Sequence, residues 1–348
     1  MAYTTIDKPS DYFETITYAG TGSSNAITEL DFQPDWVWIK SRTAAEAHRL
    51  HDSVRGANKL LRTHGTFAEA TTSQDVMSFD SNGFTVGTET AVNNSGQNIV
   101  SWNWKAGTAF TNDASATGIG SIDSAGSVNT DAGFSIMTYT GTGSNATFAH
   151  GLGAVPKMAI FKDRSSTGYW MTYHQAVGNG ANLVLNTTDA KSDSAVWWNS
   201  TSPTSSVFSI GTSTNINVSG RNYVGYLFAE KQGYSKFGSY TGNGNVDGTF
   251  VYTGMKPTWL MIKKSSASGS GWMIFDTKRN PTNDGATLRL PANGTESEAT
   301  DHILDILSNG FKIRDSDATL NTSGATFIYM AFAESPFVTS TGVPATAR

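Results

Sequence analysis

The densest run of chemistry-bearing side chains is "HRLHDSVRG", His48 to Gly56, which sets two imidazoles and a carboxylate within five residues. A metal centre would need a third ligand and hydrogen-bonded supports for the imidazoles. Two later stretches, "WMTYHQAVG" from Trp170 and "WMIFDTKRN" from Trp272, carry Trp170 and Tyr173, or Trp272 and Phe275, at the corresponding places. His48 and His51 therefore read as replacements for ring-shaped side chains on a strand. No metal and no cofactor is expected.

The other candidate chemistries are weaker. Glycan hydrolysis needs two facing carboxylates about 5 to 10 Å apart; Asp276, Asp301, Asp305 and Glu334 are available, but nothing pairs them. Glu230 and Glu334 follow equivalent strands, in "LFAEK" and "AFAES", where a contact with a neighbouring segment is the simpler role. No Gly-x-Ser-x-Gly elbow occurs. The turn "YTGTGSN" from Tyr139 has relatives at Tyr18 and Tyr240, yet no copy supplies the third glycine of a dinucleotide fingerprint. It reads as a glycine-permitted turn. Function is thus expected to be non-enzymatic, and the aromatic pairs Tyr169–Trp170 and Trp197–Trp198 are the candidate contact surface.

The elements that hold these residues repeat three times. Tyr-x-Gly-x-Gly turns begin at Tyr18, Tyr139 and Tyr240; the strands "PDWVWIK", "PKMAIFK" and "PTWLMIK" begin at Pro34, Pro156 and Pro257; closing strands follow Ser95-Gly96, Ser219-Gly220 and Ser323-Gly324. The prolines stand 122 and 101 residues apart, the closing serines 124 and 104. Nearly equal offsets at independent landmarks define a tandem repeat. The apolar runs are short and two-sided: in "FIYMAF", Ile328, Met330 and Phe332 share one face and Phe327, Tyr329 and Ala331 the other. One helical turn per copy is expected in "SQDVMSF", "SDSAVWW" and "DHILDIL".

The predicted fold is all-β: three tandem β-sandwich, jelly-roll-like domains of about 100 residues, each large enough to hold its own core. They span 1–106, 134–231 and 232–348, the last with a C-terminal tail. Residues 107–133, rich in Ala, Gly, Ser, Thr and Asp, are expected to be a linker or long loop. On that reading the second and third copies pack closely and the first is the anchor or the most mobile unit.

Bulk composition narrows the partners. Net charge is −5, which provides no basic field for nucleic acid or anionic membrane. No apolar run reaches the roughly 20 residues of a membrane-spanning helix. Cys 0 excludes disulfides and thiolate sites. "MAYTTIDKPSDYF" has no charged segment followed by an apolar core, so no secretory signal is expected.

The opening "YTTIDKPSDYFETITYAGTGSSNAI", with "FQPDWVWIK", "LHDSVRGANKLLRT", "SFDSNGFTVG" and "NIVSWNWKAG", resembles an uncharacterised repeat domain of structural proteins of tailed, especially marine, bacteriophages. The resemblance is strongest over 1–107 and weaker over the later copies. It implies a virion protein, tail-fibre-like or capsid-decorating, made in the host cytoplasm and released by lysis. The implied partners are other virion proteins, further copies of itself (a trimer by analogy) and a host-surface glycan. The alternative of another class is a polysaccharide depolymerase.

Overall fold

Alternation of apolar side chains along the closing and proline strands gives each sheet two buried faces, and both need a covering layer. The computed structural model of the chain, which describes residues 2–346, shows what covers them. It is all-β, with 43% strand and 4% helix, in several antiparallel sheets. Among the described residues no helix is long and apolar enough to cross a membrane.

One strand order recurs in the three main sheets. The first runs Phe13–Ala19, Asn98–Trp104, Trp36–Ser41, Arg49–Asp52; the second contains Phe134–Thr140, Asn222–Ala229, Pro156–Asp163, Met171–His174; the third contains Ser235–Thr241, Thr326–Pro336, Met255–Lys264, Met273–Asp276. The closing strand is central in each, as its two-sided pattern requires. A small sheet packs on one face of each main sheet, built for example from Asn25–Ile27, Gly83–Val86 and Val76–Asp80 in the first copy. Val37, Ile39 and Ile99 meet Phe84 and Val86 there. Pro156 and Pro257 lie at irregularities in the ladder, where a residue without an N–H is tolerated.

The opposite faces of all three main sheets bury against one another in a single core. Trp36, Trp38, Trp102 and Trp104 of the first copy meet Phe134, Tyr226 and Phe228 of the second and Trp259, Met330 and Phe332 of the third. Trp36 stacks on Tyr226 with centroids 4.4 Å apart, Phe13 stacks on Phe332 at 4.9 Å, and Trp104 meets Trp259 edge-on at 5.6 Å. The first copy thus packs on both others, and the expectation that it stands apart is overturned. Each segment keeps a core of its own beneath its small sheet and shares the central one with the other two.

The contacts between copies are cyclic. Backbone bonds run from Glu69 N–H to Arg164 O, from Lys191 N–H to Ser265 O, and from Glu298 N–H to Arg42 O, at 3.1, 2.9 and 2.8 Å. An arm of each copy (around 59–71, 181–193 and 287–302) therefore reaches the next, and the third returns to the first. The arrangement is a closed ring with internal threefold repetition.

Two further expectations are corrected. Residues 107–133 are not an unstructured linker: Thr108–Asn112 and Ser124–Asn129 form a hairpin that pairs with Phe134–Thr140 and widens the second sheet to eight strands. Their weak apolar pattern reflects an edge location, with only Val128 buried in the core beneath. The helical turns fall elsewhere than predicted. Val76–Asp80 and Leu304–Leu307 are strands, and 195–200 is a turn. The short α-helices are Thr90–Asn93 and Ala318–Asn321, just before the first and third Ser-Gly, and Ala114–Thr117 between the strands of the hairpin. Residues 304–307 alternate buried and half-buried, and at 76–80 only Val76 is buried, which suits strands on a small sheet.

Candidate contact surface

The glycine turns are locked corners. Gly22, Gly143 and Gly244 adopt φ of 73°, 77° and 71°, and a Cβ on Gly20, Gly141 or Gly242 would lie 2.1 to 2.4 Å from a backbone oxygen. A buried asparagine grips each corner. Asn93 accepts from Thr21 N–H and donates to Ser23 O and Gly87 O; Asn217 does the same with Thr142, Ser144 and Gly211; Asn321 with Asn243, Asn245 and Asp315. Tyr18, Tyr139 and Tyr240 donate to Val92 O, Ile216 O and Leu320 O. These N–H groups serve the fold, so no phosphate cradle is formed. Sequence reasoning missed the asparagines, although Asn stands two residues before every closing Ser-Gly.

The histidine and carboxylate cluster divides between two faces. His48 is buried at the shared core, stacked on Trp102, with its ring nitrogen 3.0 Å from Pro291 O of the third copy. Trp170 and Trp272 make the matching contacts, donating to Arg62 O and Val184 O. His51 points the other way, to Ala57 O at 2.7 Å. Burial pushes both imidazoles down, His51 to about 3. They stand where rings stand in the other copies, and they share no ligand sphere.

Asp52 belongs to the seam between the first and second copies. Its carboxylate accepts from the Arg55 guanidinium and from Tyr226 of the second copy (2.7 Å), while Glu69 joins Arg55 to Arg164. The seam between the third and first copies repeats the set: Asp276, Arg279, Glu298 and Arg42, with Trp102 donating to Asp276. The seam between the second and third copies replaces all four by His174, Val177, Lys191 and Ser265. The other candidate carboxylates also pair with cations: Asp301 with Arg289, Asp305 with Arg314, Glu334 with Lys256 and Glu230 with Lys236. Three equivalent lysines, Lys40, Lys162 and Lys263, are wholly buried and donate to backbone carbonyls; burial lowers each to about 8.

Of the four predicted surface aromatics, two are interior, which corrects the sequence reading. Trp170 fills the shared core, and Trp198 packs against Phe161, Tyr173 and Phe208 with its indole N–H on Ala181 O. Trp197 is half-buried and only Tyr169 is exposed, at 46%. The adjacent tryptophans do diverge, one into the core and one to its margin.

The third copy presents exposed rings that sequence reasoning did not single out. On the strand Phe250–Tyr252 both outer side chains face solvent, Phe250 at 45% and Tyr252 at 54%. Register through Phe84, Phe208 and Phe311 places Ala26 and Thr28, or Thr147 and Ala149, at the equivalent positions. The signal was available as a break in the repeat: rings where the other copies keep small residues.

A family model described as a domain of unknown function (DUF7483) matches residues 8–336, so one match spans all three copies. No curated protein matches the chain.

Proposed function

The chain belongs to the DUF7483 family, and we propose that it is a non-enzymatic virion structural protein exposed on the particle surface, most simply a tail-fibre or appendage component for host attachment. Capsid decoration is the neighbouring form of the same reading. On this reading each copy is a two-layered, jelly-roll-like β-sandwich, and the ring is a rigid head that presents loops and small-sheet edges. The observation that carries it is where the charged chemistry resides. Asp52, Arg55, Asp276 and Arg279 are buried between copies, committed to holding the ring closed. Partners would be other virion proteins, with copies of the chain associating as whole rings, and a host glycan.

Quantitative mass spectrometry of density-banded particles from a lysate that yields this chain tests the proposal. The chain should band with the particles at structural abundance; confinement to the soluble fraction would refute it. Release of reducing ends from host polysaccharide by the purified chain would instead favour the depolymerase reading.

A further inference from the structure

Tyr252, one of the exposed rings of the third copy, borders a groove of about 330 Å³ whose lining includes Tyr3, Glu230, Gln232, Lys236 and Gly254. Its parts come from the N-terminal strap, the 230–236 turn and the small-sheet edge, which carries rings only in this copy. Tyr3 is fixed there by donating to Gly254 O at 2.6 Å and by edge contact with Phe337. Thr4 donates to Gln232 O at 2.8 Å and so ties the strap to the turn. Gly254 has φ of 73°, and a Cβ on it would lie 2.7 Å from the Tyr3 hydroxyl, so glycine keeps this wall open. On the floor, the Lys236 ammonium donates to the Glu230 carboxylate at 2.6 Å, both side chains partly exposed.

We propose that this groove is a saccharide subsite that takes one pyranose ring, its apolar face on Tyr252 and its hydroxyl rim on Glu230 and Lys236. The ligand chemistry follows from the lining. An aromatic wall offers an apolar platform with a hydroxyl at its edge. An adjacent carboxylate and ammonium supply acceptors and donors side by side, as neighbouring hydroxyls require. The volume lies at the small end of ligand sites, suited to one or two sugar rings. A phosphate-bearing ligand would meet the Glu230 carboxylate in a chain of net charge −5. One carboxylate without a second ligand does not make a metal site. The inference rests on the attachment reading and deepens it by placing the sugar site in a named groove, but the site stands or falls on the isolated chain.

Saturation-transfer NMR and calorimetry on the full chain, with the methyl glycosides of glucose, galactose and N-acetylglucosamine and with maltotriose and chitotriose as probes, test it. At least one probe should bind with Kd on the order of 1 mM. Tyr252→Ala should weaken it at least about tenfold and Glu230→Gln several-fold, with the melting temperature unchanged. Tyr169→Ala, on the second copy's exposed ring, should bind like the parent chain. The proposal is overturned if no probe binds at about 10 mM, if Tyr252→Ala binds as well as the parent, or if this face instead pairs two copies of the chain. Particle fractionation is not involved, so failure here and failure of the virion proposal are separate results.

Discussion

At the residue scale the chain uses polar side chains as joints. Asn217 satisfies three backbone groups of one corner, and an alanine there would strand them in a buried setting. Asn217→Ala should cost about 3 kcal/mol in urea unfolding, from several lost bonds of about 1 kcal/mol each. The seams allow a sharper comparison. Asp52→Ala leaves the buried Arg55 guanidinium without its nearest carboxylate, and about 3–5 kcal/mol should be lost. Transplanting the residues of the second–third seam (Asp52→His, Arg55→Val, Glu69→Lys and Arg164→Ser) should cost less than that single change, because the buried guanidinium is removed together with its carboxylates. If the fourfold variant unfolds at lower denaturant than Asp52→Ala, the buried networks are true stabilisers. Acid should open the ring. His51 is held at about 3, His150 and His174 at about 4, and His48 well below its ordinary value, all by burial. The unfolded chain takes up these protons from about pH 6.5 downward while the folded chain does not, so stability falls as pH drops from about 6.5 toward 4. Burial raises Asp35 and Asp75, which opposes the trend with fewer groups. The urea midpoint should be lower at about pH 4.5 than at pH 7, and His48→Trp, the ring used by the other copies, should blunt the loss.

At the element scale, the hairpin over 108–128 is an addition at an edge. Thr108 lies directly opposite Val128 in the ladder, so excising 108–128 and joining Gly107 to Asn129 requires little movement. The shortened chain should still unfold in one transition; loss of cooperative unfolding would show that the hairpin is integral. The sequence displayed the threefold period, the turn character of Tyr-x-Gly-x-Gly, the central closing strand and the role of His48 as a ring replacement. Each of these depends on a local pattern that three copies state independently. It did not display what the second apolar face of "FIYMAF" packs against, because alternation reports that a face is buried and not by which neighbour. The hairpin was hidden because Ala, Gly and Ser edge strands look like linker, and Trp170 because adjacency of rings says nothing about depth. The groove at Tyr252 was hidden because it joins residues 3, 230–236 and 252–254, far apart in the chain.

At the scale of the whole molecule, a central core joins three segments, each of which also has a core of its own. A fragment of residues 134–231 would expose Ile136, Met158, Ile160, Tyr226 and Phe228 to water. It should therefore lack a dispersed amide spectrum in isolation, whereas the full chain should melt in one transition with matching calorimetric and van't Hoff enthalpies. A fragment that folds alone would show that the shared core is dispensable. The closure has a consequence for how the polypeptide could be cut. Asp7 accepts from Ser340, at 2.6 Å from its backbone N–H, so the two ends of the described chain meet beside the ring. Fusing them through a short bridge and opening the exposed loop near Gly118 to Gly120 would give a circular permutant in which the last two copies precede the first. In such a molecule the order of synthesis changes while every seam is kept.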